Sequence, residues 1–151
     1  MSNALRGADI VAQSLERLGS QTVFTLSGNH IMSIFDGAIE AKLELIHTRH
    51  EAAGHANAVG ALFTALSAES PMVLLSGHAA TWELGRGGFQ EIRQADMAAP
   101  VSKASWTAKS AATLGEELGE ALRIAKSGPP GPVHLSLPSD LLDETGEANA
   151  I

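Results

Sequence analysis

No cysteine or tyrosine occurs among the 151 residues, and aromatic residues make up only 4% of them. The lack of thiols excludes disulfides, thiolate zinc sites, iron–sulfur ligation and cysteine nucleophiles. It also suits a reducing compartment, so a cytoplasmic location is expected. Positive charge is scarce as well: 10 Lys and Arg stand against 17 Asp and Glu, a net charge of −7. With no basic cluster to track a phosphate backbone, nucleic acid is not an expected partner. No apolar run approaches the ~20 residues of a membrane span, and no basic leader precedes an apolar stretch, so neither a membrane nor a secretory route is expected.

What is present suits one domain with a real core. Hydrophobic residues reach 44% and glycine is abundant, with 15 residues, so small side chains permit close packing of helices on a sheet. Leu5, Ile10, Val11, Leu15 and Leu18 fall near helical spacing over 4–18, and Gly19 supplies a stop. The apolar run QTVFTLSG reads as a strand, and Ile31, Ile34, Phe35, Ala38 and Ile39 lie on one face of a following helix. LELIHT is a second strand. A helix over 52–68 turns Val59, Leu62, Phe63 and Leu66 inward, and PMVLLSG is a strand hydrophobic enough to be buried on both faces. Residues 77–100 form a long glycine-containing loop with one short helix. A strand over 101–108, a helix with Leu114, Leu118, Leu122 and Ile124 inward, and the strand GPVHLSLP complete the order. A polar, frayed tail is expected from Ser139 onward. The pattern predicts an α/β fold of three layers, helices covering a mostly parallel sheet of about five strands, joined by right-handed crossovers. The predicted domain covers 1–143, with a polar tail over 144–151.

Ligands of such sheets lie beyond the carboxyl ends of the strands. That rule selects Ser27-Gly28-Asn29-His30, Thr48-Arg49-His50-Glu51 and Ser76-Gly77-His78. A carboxylate at Glu51 suits an acid, a base or a hydrogen-bond acceptor, although composition alone favours a helix-N-terminal Glu stabilised by the macrodipole. His30 opens a helix after a Gly-Asn turn, as a ligand or a surface cap. Asn57 is a helix cap or a ligand contact. His47, His50 and His55 invite a metal reading, but His50 and His55 are five apart, roughly 140° around a helix of ~3.6 residues per turn, whereas a zincin needs i and i+4. No metal site is therefore expected. The glycines at 85, 87 and 88 do not connect a strand to a helix and make a weak phosphate cradle. Ser27, Ser76 and Ser102 lie in no nucleophile elbow.

Taken in order, VFTLSGNHIMSIFDG, TRHEAA, GHANAVGALFTAL, SPMVLLSG, GGFQE, APVSKASW and GPVHLSLPSDLLD resemble the N-terminal pyrimidine-binding domain of thiamine diphosphate-dependent enzymes, in the group of acetolactate synthase, benzaldehyde lyase and oxalyl-CoA decarboxylase. The resemblance spans nearly the whole chain. It implies that Glu51 hydrogen-bonds N1′ of the cofactor's aminopyrimidine and so favours the imino tautomer that takes the thiazolium C2 proton. It further implies that His30 relays protons to substrate beside Asn29, that Gln90 reaches the cofactor or substrate from the loop, and that Phe89 packs nearby. Gly28, Asn29, Asn57 and Gly77 would complete the cofactor-facing set. The implied chemistry is making or breaking a C–C bond next to a carbonyl, on 2-oxo acids, 2-hydroxyacyl compounds or aldehydes; the cofactor carries that chemistry and the protein positions it.

Two departures shape the expectation. The Gly-Asp-Gly and Asn that hold diphosphate and magnesium in that family occur at none of Asp9, Asp36, Asp96, Asp140 or Asp143, so a separate diphosphate-binding domain or subunit is an implied partner, with Mg2+ reaching the site only through it. Family members also carry one more helix and strand between the Arg-His-Glu and the Gly-x-x-Asn turn. The family strand order 2-1-3-4-6-5 would then lose its third strand, and strand 71–77 is expected to close onto 22–27. An orphaned domain is expected to self-associate and to be inactive alone. The alternatives are a noncatalytic α/β partner-binding module, and a metal hydrolase if three histidines converge.

Overall fold

The computed structural model describes residues 5–20, 22–25, 32–47, 54–88 and 91–146. Its first elements are a two-residue strand β1 (Leu5–Arg6) and helix α1 (Gly7–Arg17). The helix starts where the Asp9 carboxylate accepts the Arg6 backbone N–H at 3.1 Å and the Arg6 guanidinium at 2.8 and 3.0 Å. A carboxylate in a first turn also complements the N-terminal end of the helix dipole. Gly19, at a φ of 84°, lets the chain leave the helix through the left-handed region.

The parallel strands and their helices then alternate: β2 (Thr22–Thr25), α2 (Met32–Glu40), β3 (Glu44–His47), α3 (Gly54–Ser67) and β4 (Met72–His78). After the short α4 (Gln94–Ala98) come β5 (Ala104–Thr107), α5 (Leu114–Lys126), β6 (Pro132–Pro138), α6 (Ser139–Asp143) and β7 (Thr145–Gly146). β6 lies between β4 and β5, and all its residues are buried. Its side chains alternate as a strand requires. Val133, Leu135 and Leu137 face the apolar core built with α1 and α5, whereas His134 and Ser136 face α3 and α4. Helices on both faces of parallel strands make this a shortened three-layer α/β/α fold.

The five parallel strands form two ladders among the described residues, β3-β2 and β4-β6-β5. In the first, Thr25 stands opposite His47; in the second, His78 stands opposite Pro138. The expected pairing of 71–77 with 22–27 is not formed between described residues: β4 hydrogen-bonds β6. The core continues across both ladders because α1 spans them. Ile10, Val11 and Leu15 join one cluster that reaches Val23, Ile34 and Leu43 on one side and Val73, Leu75 and Leu122 on the other.

Several expectations are corrected here. Met72 to Leu75 of β4 are half-buried rather than buried on both faces, because β4 has one described strand neighbour where β6 has two. Phe63 on α3 and Ile39 on α2 are 60% and 74% exposed. Each lies at the margin of a helical stripe whose centre, Leu62 or Ala38, is fully covered. The frayed tail does not begin at Ser139. α6 buries Leu141 and Leu142, and β7 pairs antiparallel with β1, Leu5 opposite Gly146 and Arg6 opposite Thr145. No helix among the described residues is long and apolar enough to cross a membrane.

Candidate functional site

In parallel α/β sheets the ends of the strands deliver the functional loops to one rim. β2 and β3 run in register, so Thr25 and His47 finish side by side. Gly28, Asn29 and His30 follow the first of these ends within five residues, and Glu51 follows the second by four. Glu51, His30, Gln90, Gly28 and Asn29 themselves lie outside the described residues. Their expected convergence therefore stays an expectation, and the strand ends that launch two of their segments are adjacent.

Asn57 and Gly77 are described. Asn57 is the fourth residue of α3 and exposed. Since the helix starts at Gly54, its reading as a helix cap is excluded, which leaves its side chain open to solvent near the helix start. Gly77, in the last turn of pleat of β4, offers its carbonyl to Gln94 Nε2 at 2.7 Å. Beyond β4, Asp140 of α6 accepts the Thr81 backbone N–H at 2.9 Å and the Thr81 hydroxyl, which ties the end of β6 to the end of β4.

The loop that leads to Phe89-Gln90 has its own anchor. The Glu91 carboxylate accepts the backbone N–H groups of Gly85 at 2.6 Å and of Gly87 and Gly88 at 3.0 Å. Gly85 and Gly87 have φ of 79° and 73°, which a side chain rarely adopts. The glycines thus serve an internal carboxylate, which those donors hold below its ordinary range. Immediately afterwards, the Ile92 carbonyl meets His78 Nε2 at 2.9 Å. Gln94 is buried between Gly77 and Ser136, whose hydroxyl donates to Gln94 Oε1 at 2.6 Å.

Sequence reasoning missed this polar layer. The residue pattern marks neither His134 nor Gln94, and it suggests His55 only as a metal ligand with His47 and His50. The available signal was a histidine and a serine alternating with Val and Leu in GPVHLSLP, on a strand otherwise apolar on both faces. Among the described residues no group of three His, Cys, Asp or Glu side chains is arranged to hold a metal ion. A separate open groove of about 460 Å³ lies beside β5 and α5, where Trp106, Ile124, Glu116 and Glu120 line it. It sits at the β5 edge of the β4-β6-β5 ladder.

Residues 5–56 match the family described as thiamine pyrophosphate enzyme, N-terminal TPP binding domain. A probable acetolactate synthase of Mycobacterium bovis is 32% identical over 163 residues, which cover 92% of this chain and 30% of that protein. A 2-hydroxyacyl-CoA lyase 2 of Danio rerio is 33% identical over 160 residues, 90% of this chain and 26% of that protein. A probable acetolactate synthase large subunit of Methanocaldococcus jannaschii is 30% identical over 163 residues, 92% and 28% of the two chains. The chain thus spans less than a third of the length of these relatives. In the first alignment, 92% of 151 residues is about 139, against 163 aligned, so roughly two dozen residues of the relative have no counterpart here. The family match ends at residue 56, beside the point where the sequence implies a missing helix and strand.

Proposed function

We propose, because this chain belongs to the thiamine pyrophosphate enzymes through their N-terminal domain, that it forms the pyrimidine-side half of a site for thiamine diphosphate. The observation that carries the reading is the adjacency of Thr25 and His47 at neighbouring strand ends, after which Gly28-Asn29-His30 and Arg49-His50-Glu51 follow in sequence. When bound, thiamine diphosphate supplies a nucleophilic carbon and an electron sink for bonds next to a carbonyl. On this reading Glu51 holds a proton on the pyrimidine ring nitrogen, His30 moves a proton at a substrate oxygen, and Gln90 orients the reacting group from the loop that Glu91 anchors. Gly28, Asn29, Asn57 and Gly77 shape the pocket wall. The substrates are 2-oxo acids, 2-hydroxyacyl compounds or aldehydes, a range in keeping with relatives that are an acetolactate synthase and a 2-hydroxyacyl-CoA lyase. The diphosphate and its Mg2+ are held by a partner domain or subunit, consistent with the much greater length of those relatives. The assembly is a homo-oligomer in the cytoplasm, a compartment that suits a chain without cysteine.

The second reading, a noncatalytic partner-binding module, is favoured by two observations: the described strands form no ladder between β2 and β4, and a relative carries about two dozen residues that this chain lacks. Titration calorimetry separates the two. The chain mixed with the diphosphate-binding part of an acetolactate synthase relative, in thiamine diphosphate and Mg2+, is expected to bind the cofactor. Glu51→Gln should weaken that binding at least tenfold, whereas the chain alone should show neither comparable binding nor turnover, since the charge-assisted diphosphate contacts are absent. No binding in the mixture, or binding indifferent to Glu51→Gln, refutes the cofactor reading.

A further inference from the structure

Between the sheet and the α3–α4 layer lie three histidines: His55 near the start of α3, His78 at the end of β4 and His134 in the middle of β6. The His55 and His134 rings stand 4.8 Å apart at 58°, and His78 and His134 are buried. Their partners dictate where the protons sit. The Gln94 carbonyl only accepts, so His55 Nε2 donates to it at 3.2 Å and His55 Nδ1 takes the Ser76 hydroxyl proton at 2.8 Å. Ser105 gives its hydroxyl proton to the Ala95 carbonyl at 2.7 Å, so His134 Nδ1 donates to Ser105 Oγ at 2.9 Å. What remains on His134 is a bare Nε2 lone pair, fully buried and without a hydrogen-bond partner. His78 faces two carbonyls, of Ala79 at 3.2 Å and Ile92 at 2.9 Å.

A proton arriving at His134 Nε2 would find no acceptor, and the charged ring would stand 4.8 Å from the His55 ring. Among the described residues, no carboxylate acts on His55 or His134. α3 has no other ionisable residue, β4 contributes only His78, and β5 and the 3-10 turn Ala99–Val101 contribute none. The segment before α4 brings Glu91, held by three glycine N–H groups and with its charge acting on His78, and Arg93, which pairs with the exposed Asp96 of α4. Lys103, before β5, is turned to the carbonyls of Ile124 and Ser127.

We propose that this layer is a proton-sensitive latch, in which neutral His55 and His134 hold α3 and residues 91–94 against the sheet and proton uptake releases them. The same few side chains make the ties: His55 joins α3 to Ser76 and Gln94, His78 joins Ile92, and Gln94 joins Gly77 and Ser136. Burial and the neighbouring imidazoles reinforce the neutral state, pushing His134 down to about 3 and lowering His55. The latch stands independently of the cofactor reading. Were that reading correct, opening would move the start of α3, and Asn57 with it, away from the rim.

Amide exchange followed by NMR near pH 7.5 and near pH 5, corrected for intrinsic rates, tests the latch. Protection in α3 and residues 91–94 should fall at least tenfold at the lower pH, while α1 and α5 keep theirs. His55→Leu with His134→Leu should abolish that difference. Unchanged α3 protection at the lower pH, or equal loss in every helix, overturns the latch. Should the double variant fail to fold, the imidazole C2 proton shifts of the unmodified protein decide: His55 and His134 staying neutral until α3 opens supports it. Free titration of both rings near their ordinary value, with α3 still protected, refutes it.

Discussion

Replacing Gly7 by Ala would push a methyl group into the junction of α1, α5 and α6. An added Cβ stands 1.9 Å from the Leu141 carbonyl oxygen and 2.8 Å from Leu114 Cδ1. The Leu114 methyl can rotate, but the Leu141 carbonyl is backbone. It is fixed by the fully buried Leu142 and Pro138 on either side and by the grip of Asp140 on Thr81. Separation to an ordinary contact requires α6 to retreat by about 1.5 Å, a form of overpacking that costs about 1–3 kcal/mol and occasionally more. The same retreat strains the Gly7 N–H bond to the Glu144 carbonyl, 3.0 Å long, and the β1–β7 pair beside it, a further loss of about 1 kcal/mol. Alanine returns at most ~1 kcal/mol of helix propensity, less at a first helical residue. A net loss of about 2–4 kcal/mol is expected, a large part of a typical domain's 5–15 kcal/mol. Urea unfolding followed by far-ultraviolet circular dichroism measures it as a midpoint lowered by roughly 1–2 M, at a slope of about 2 kcal/mol/M. Gly60→Ala in α3 is the matched control. Its Cβ meets nothing within 4 Å, so it should stabilise by about 0.5–1 kcal/mol. A Gly7→Ala loss under about 0.5 kcal/mol, or an equal loss in Gly60→Ala, would refute the packing argument.

Other consequences are as specific. Glu117 accepts from Trp106 Nε1 at 2.8 Å, the Lys109 N–H at 3.1 Å and the Thr113 hydroxyl at 2.7 Å, so Glu117→Ala should cost about 1–3 kcal/mol in chemical unfolding; wild-type stability in that variant would contradict it. Arg6 holds the Asp9 carboxyl below its ordinary range; its contribution is therefore present above about pH 4 and lost as pH falls through the depressed value. The stability difference between Asp9→Asn and wild type should shrink toward acid, and a constant difference would show the pair to be unimportant. His134 titrates at about 3 when folded and near 6.5 when free, so stability is full above the free value and declines as pH drops from there toward the folded one. By pH 5 that amounts to about 2 kcal/mol at most, at ~1.36 kcal/mol per unit. His134→Leu should flatten that limb of the urea midpoint against pH, and an unaltered slope would count against it.

The element order was legible because periodicity alone separates strands from helices in this chain. Leu114, Leu118 and Leu122 repeat at helical spacing, and GPVHLSLP is closed by prolines. The short pieces were not legible. β1 and β7 have two residues each, and a two-residue strand exists only through its partner, so Leu5 and Gly146 carry no local sign of their pairing. The inward face of α3 is legible at the buried Leu62 and the half-buried Val59 and Leu66, but not at Phe63, because a helical stripe shows its centre more clearly than its margins.

By itself the sequence determined the α/β class, the positions of the five parallel strands and the segments that follow their carboxyl ends, because local patterning and turn chemistry act over a few residues. The likeness of those segments to thiamine pyrophosphate enzymes was likewise written in short motifs. Tertiary structure alone decided which strands share hydrogen bonds, and it divided the described sheet between β2 and β4 despite a hydrophobic pattern in β4 suited to a central strand. It also decided that His55, His78, His134 and Gln94, up to 79 residues apart in sequence, share one dry layer. Such a layer comes from folding distant strands and helices together: the proton each ring holds is set by a hydroxyl or carbonyl that another element delivers.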